Sequence, residues 1–112
     1  LQKLQIGQKI EKILLEKYQH FYVSIITYIE VLGYNFETKE EKNLIEQLLD
    51  TFDIIPIDMS IATIAIEIRQ RKKIKLPDAL ILATAKKYNA ELLTYNITDF
   101  ANTDATISVI KP

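Results

Sequence analysis

Cysteine is absent from the 112 residues, histidine occurs once, glycine twice and proline three times. Without thiols there is no disulfide scaffold and no zinc site built on thiolates. A single histidine, His20, excludes His₂ and His₃ metal sites and a two-histidine proton relay. The lack of cysteine accords with a reducing cytoplasm, the expected location. An excess of either charge is missing as well: Lys plus Arg total 14 against 15 for Asp plus Glu, a net charge of −1. A basic field over the whole chain is therefore excluded, and any contact with nucleic acid must come from a local patch. No apolar run reaches the ~18 residues needed to cross a bilayer, so no membrane span is expected. The N-terminus lacks the basic, apolar and small-residue order of a signal peptide.

What is present suits one folded domain over residues 1–112. Hydrophobic residues make up 48% and charged residues 26%. A chain of this length buries roughly two thirds of its unfolded surface, enough for a single core. Scarce glycine and proline imply long elements and short loops. Residues 2–18 read as a helix, with Ile10, Ile13, Leu14 and Tyr18 on one face. Phe21, Tyr22 and Val23 form a short buried strand ending at Ser24. Thr27 is the expected cap of a helix that Gly33 closes. Thr38 and Glu41 have capping-box spacing and open a helix with Leu44, Ile45, Leu48, Leu49 and Phe52 inward. A strand over 53–57 follows, placed near a sheet edge by Pro56. Asp58 or Ser60 caps a third helix, with Ile61, Ile64, Ala65 and Ile68 inward. Pro77 suits the first turn of a nearly all-apolar helix over 77–88, which Asn89 ends in the left-handed conformation. Strands over 92–94 and 107–110 complete the chain.

Short apolar strands alternating with helices predict an α/β fold: a three-layer α/β/α domain around a central parallel sheet. Ligands in such sheets bind beyond the carboxyl ends of the strands. Three segments deliver acids or amides there. Glu30 follows the strand ending at Ser24 and lies one helical turn from Thr27. Asp78 stands in the first turn of the buried helix. Asn96 and Asp99 follow the strand ending at Thr94. Each has a plainer reading. Asp78 suits a helix N-terminus, an effect of about 0.3–1 kcal/mol. Glu30 could be an exposed helix residue, but its neighbours Ile29, Val31 and Leu32 are apolar, so an acid there is expected to be semi-buried. Asp99 is a ready turn former. Their joint placement carries more weight than any one of them. Clustered carboxylates repel unless a cation joins them. Oxygen ligands without His or Cys suit a hard ion, Mg²⁺ or Mn²⁺. Such an ion activates water and offsets charge on a phosphodiester under attack.

Three strings carry a family resemblance. The run Ile74-Lys75-Leu76-Pro77-Asp78-Ala79-Leu80-Ile81-Leu82-Ala83-Thr84-Ala85 resembles the third-acid motif of PIN-domain ribonucleases, in particular VapC-type toxins. Val23-Ser24-Ile25-Ile26-Thr27-Tyr28-Ile29-Glu30-Val31-Leu32 resembles their second-acid motif. Leu92-Leu93-Thr94-Tyr95-Asn96-Ile97-Thr98-Asp99-Phe100 resembles the closing motif, Thr-x-Asn-x-x-Asp-Phe. Order and spacing agree from about residue 10 to the end. The resemblance implies an Mg²⁺-dependent endoribonuclease (with Mn²⁺ as the alternative ion), held inactive by a VapB-type antitoxin whose tail wraps the site, and a homodimer. Transfer RNA as the target is implied by the family alone. Carried over by position, Glu30, Asp78 and Asp99 are metal-site acids, with Asn96 sharing or replacing the role of Asp99. Ser24, Thr27 and Thr94 supply supporting hydroxyls.

The chain departs from the pattern in one serious respect. The family's first acid ends an N-terminal strand, and here no Asp precedes Asp50. That strand belongs at the centre of the sheet, and its loss leaves two neighbouring strands with open edges. Three explanations compete: an N-terminally truncated chain, an inactive remnant that serves as a protein-interaction module, or a swapped segment from a second subunit. The start at Leu1 favours the first. A chain complete as it stands is expected to have weak or no nuclease activity. Tyr95 stands where relatives often carry a basic residue, which removes a phosphate contact or replaces it by stacking on a base.

Arg69, Arg71, Lys72, Lys73 and Lys75 precede the helix of Asp78. They are candidates to neutralise RNA phosphates near the scissile bond; the plainer reading is a solvated helix end whose cations suit the dipole. His20 reads as a surface or strand-flanking residue, and Tyr18, Tyr22 and Tyr28 as packing. The first helix and that of residues 39–51 offer apolar surface to a dimer or antitoxin helix. A phosphate-recognising regulator of response-regulator type is disfavoured, since no acid ends a central strand.

Overall fold

The computed structural model describes residues 21–93 and Val109–Ile110. The chain divides into two compact units, residues 1–55 and 56–112. The expected helix 2–18 and the strand residues Thr94, Ile107 and Ser108 lie outside the described residues.

In the first unit, β1 (Tyr22–Ser24) runs directly into α1 (Ile25–Leu32). Val23 and Ser24 are buried. Because no loop intervenes, the last strand residue becomes the helix cap: Ser24 keeps an extended backbone and its Oγ accepts from the Ile26 N–H at 3.2 Å. The expected cap, Thr27, is therefore the third residue of the helix rather than its boundary. Gly33 closes α1 as expected, but with φ −76°, so a left-handed backbone is not what glycine supplies. It supplies room, since a Cβ there would lie 2.8 Å from the Ile29 carbonyl oxygen.

The capping box forms at α2 (Lys39–Asp50), where Thr38 Oγ1 accepts from the Glu41 N–H at 3.1 Å. The row Glu41, Ile45, Leu49 is buried. Leu48 is half-buried and Leu44, expected inward, is 47% exposed. Residues four apart stack on one face, and Leu44 stands about 100° round the helix from Ile45, past the edge of that face. Val23, Ile45 and Leu49 form the core, with Tyr28, Val31, Leu32, Phe36 and Phe52 packed against it. The rings of Phe21 and Phe52 lie 5.9 Å apart in a tilted contact.

β2 (Asp53–Ile55) pairs parallel with β1, with Val23 opposite Ile54. It stops before Pro56, two residues short of the expected 53–57, because proline has no N–H for the ladder.

The second unit is built on a helix pair, α3 (Met59–Arg71) and α4 (Leu76–Lys87). Asp58 caps α3: its Oδ1 accepts from the Ile61 N–H at 2.9 Å and from the Ser60 hydroxyl at 2.7 Å. Ile61, Ala65 and Ile68 of α3 are buried, as are Ala79, Leu82, Ala83, Thr84 and Ala85 of α4. Asp58 Oδ2 also accepts from Lys87 Nζ, which brings the start of α3 to the end of α4 and makes the pair antiparallel. Asn89 has φ 50°, the expected left-handed turn, and the Ala90 N–H reaches the Ala85 carbonyl at 2.9 Å. β3 (Leu92–Leu93) pairs parallel with β4 (Val109–Ile110).

Two helices separate β1 from β2 and two more separate β2 from β3, and both strand pairs are parallel, in keeping with an α/β fold. The described strands make two separate two-stranded ladders, β1-β2 and β3-β4. No strand among the described residues joins them.

Candidate functional site

Strand ends and helix starts place the candidate residues. Ser24, at the end of β1, is 6% exposed. Its oxygen accepts a backbone hydrogen bond, so its hydroxyl hydrogen remains a donor. Thr27 is half-buried; Glu30, one turn further along α1, is exposed and not semi-buried as expected, because its apolar neighbour Ile29 is itself 58% exposed. Asp78 is half-buried in the first turn of α4. Pro77 precedes it and the N-cap position is taken by Lys75, which makes no side-chain capping bond. A carboxylate there is favoured by the helix dipole. Thr94, Asn96 and Asp99 lie outside the described residues. Among the described residues, no three His, Cys, Asp or Glu side chains form a group able to hold a metal ion.

The basic segment spans the end of α3 and the connection to α4. Arg69, Arg71, Lys72, Lys73 and Lys75 are all exposed. A concavity of about 340 Å³ is lined by Arg69, Gln70, Arg71, Lys72, Lys73 and Ile74. Arg71 Nε donates to the Glu67 carbonyl at 3.3 Å. Gln70 and Ile74 are additions to the expected set; their signal in the sequence is their place within the same turn.

Two further features escape sequence reasoning. The capping-box spacing assigns Glu41 to a helix start, yet the residue is 5% exposed; the signal is its place four residues before Ile45. The Asp58–Lys87 pair joins residues far apart in sequence and has no local signal. The hydrogen bond from Lys87, followed by those from the Ile61 N–H and the Ser60 hydroxyl, holds the Asp58 carboxyl well below the usual carboxylate range. The same bond raises Lys87. The Lys87 ammonium also lies 5.5 Å from the centre of the Tyr88 ring.

The PIN-domain family model matches residues 4–105. The chain belongs to the PIN-domain family. The fold is accordingly PIN-like, as the three sequence strings implied. A toxin–antitoxin complex from Klebsiella pneumoniae superposes on this PIN domain with a TM-score of 0.75 and 36% identity, covering 96% of this chain and 88% of that one. FitAcB from Neisseria gonorrhoeae superposes with a TM-score of 0.66 and 25% identity, covering 92% and 81%. VapBC2 from Rickettsia felis, bound to a DNA fragment from its promoter, gives 0.74 at 18% identity over 94% and 84%, a likeness of fold alone. None of the curated proteins compared with this PIN domain matches it.

Proposed function

We propose that this PIN domain is the toxin of a VapBC-type toxin–antitoxin pair and a metal-dependent endoribonuclease that cleaves RNA phosphodiester bonds. Membership of the PIN family across residues 4–105 carries the reading. The 36% identity with the Klebsiella pneumoniae toxin–antitoxin complex supports the toxin role and a VapB-type antitoxin as partner. The reading includes a cytoplasmic homodimer.

The donor set fits a hard divalent ion. Glu30, Asp78 and Asp99 offer carboxylates, Asn96 an amide oxygen, and no thiolate or second imidazole exists in the chain to favour a softer metal. Bound Mg²⁺ or Mn²⁺ supplies Lewis acidity, which lowers the pKa of water and offsets charge on the non-bridging phosphate oxygens. Glu30 and Asp78, when ionised, would hold that charge in place. Ser24, Thr27 and Thr94 orient carboxylates or the attacking water through their hydroxyls.

The test is cleavage of a labelled single-stranded RNA, together with metal calorimetry, on the wild type, Glu30→Gln and Asp78→Asn. Cleavage in Mg²⁺ or Mn²⁺, its loss in EDTA, and a fall in metal affinity of at least about tenfold in each variant support the reading. A second reading is a PIN fold that keeps its partners and has lost its chemistry. Millimolar metal that gives neither heat nor cleavage with the wild type selects it.

A further inference from the structure

The helix-dipole explanation covers only part of the basic segment. Arg69 and Arg71 fall in the last turn of α3, where cations suit the negative end. Lys72 is the C-cap residue of α3, at that same favourable end, and Lys73 and Lys75 lie beyond it. Lys75 occupies the N-cap position of α4, at the positive end of a 12-residue helix, and makes no side-chain capping bond. Ser, Thr, Asp and Asn are the residues that stabilise this position, and a cation opposes the dipole. Among the described residues no carboxylate is paired with Arg69, Lys72, Lys73 or Lys75. Arg69, Lys72, Lys73 and Lys75 gather without a counter-charge, and Lys75 stands where helix chemistry asks for the opposite, a local rule broken without a gain in the folded chain. The concavity lined by Arg69, Arg71, Lys72 and Lys73 contains no acidic residue. With a net charge of −1 over the whole chain, this is a local patch and not a general excess of basic charge.

We propose that this segment is a phosphate clamp for the backbone of single-stranded RNA. The concavity takes a phosphate that flanks the scissile one, and Lys75 links it to the helix turn that carries Asp78. The clamp deepens the nuclease reading and rests on it for the term "scissile". Its binding role is separable from cleavage. An extended phosphodiester chain presents successive anions to a row of flexible ammonium groups and is read without regard to base, whereas Arg69 offers a forked donor to a single phosphate.

The test uses the full chain, a fluorescein-labelled single-stranded RNA of mixed sequence, and EDTA to keep binding apart from chemistry. Affinity is measured across a salt series for the wild type, Lys72→Gln/Lys73→Gln and Lys75→Ser. The double variant is expected to bind roughly tenfold more weakly at low salt, with the slope of log affinity against log salt reduced by about 0.7 for each phosphate that is no longer neutralised. Lys75→Ser is expected to weaken RNA binding while raising Tm, because a good cap replaces a poor one. A purely structural role for Lys75 does not give that opposed pair of changes. Unchanged affinity and slope in the double variant overturn the clamp, as does tighter binding of a poly-glutamate peptide than of RNA. Asp78→Asn separates the two readings. If it binds RNA like the wild type and neither chain cleaves, the nuclease reading fails and the clamp stands. If the wild type cleaves and the lysine variants bind and cleave unchanged, the clamp alone fails.

Discussion

Asp58 shows how one side chain can serve two helices. It caps α3 through Oδ1 and receives Lys87, from the last turn of α4, on Oδ2. Each charge also faces the helix end that favours it. The folded pKa of Asp58 is lowered, so its contribution to stability is present above the ordinary aspartate value near 4 and is lost as pH falls below it. That of Lys87 is raised, so its contribution is present below the ordinary lysine value near 10.4 and is lost as pH rises above it. The pair is exposed, so solvent and salt keep the effect small. Asp58→Asn retains a capping oxygen and removes the charge. Denaturant titrations should give a wild-type advantage that is level between about pH 5 and 9 and closes below about pH 4. An advantage that persists in acid would mean that the cap geometry, not the ion pair, carries the effect. Part of this arrangement was legible in the sequence: Asp58 before an apolar helical run announces a cap. Lys87 was not, because its partner is set by how two helices pack and no short-range pattern encodes that.

The elements legible in the sequence are those whose ends carry their own chemistry. Thr38 with Glu41, Pro77 in a first turn and Asn89 after a last one each satisfy a backbone requirement locally, and each appears where expected. The misplaced boundaries have local reasons of another kind. Ser24 caps α1 because the strand flows into the helix without a loop, and a strand reading of Ser24 obscures its capping role. Leu44 is apolar but stands off the face that Ile45 and Leu49 bury. Two substitutions test this account. Thr38→Ala removes the acceptor for the Glu41 N–H and should cost about 1 kcal/mol in chemical unfolding. Leu82 of α4 is fully buried, and Leu82→Ala should cost about 2–5 kcal/mol. A loss below about 1 kcal/mol at Leu82 would mean that the helices close over the vacated space. Asp78 was legible on the same terms, since a proline followed by an acid marks the start of a helix. The proposed meeting of Asp78 with Glu30 and Asp99 has no local signal, and only the order and spacing of the three motifs speak for it.

At the scale of the molecule, stability should be unevenly distributed. Among the described residues each ladder has two strands, three residues long in the first and two in the second. A two-stranded ladder is marginal in water without a further strand or a packed face. In the second unit the fully buried Ile61, Ile68 and Leu82, with Ala79 and Ala83 at 0% exposure, all belong to the helix pair. Small residues at that contact let the two backbones approach, and the apolar area they remove from water is the main favourable term in folding. Backbone amides in the buried middle of α4 should then exchange with solvent only through the largest unfolding of the unit, while those of β3 exchange through local opening. Hydrogen exchange followed residue by residue checks this: Leu82 to Ala85 should be the slowest described amides of residues 56–112, and Leu92 and Leu93 markedly faster. Equal protection in β3 and α4 would mean that the β3-β4 ladder is held by more than its own pairing, and that a strand beyond the two described ones completes it. The exchange pattern therefore reports directly on whether the β3-β4 ladder is covered by a further strand in solution.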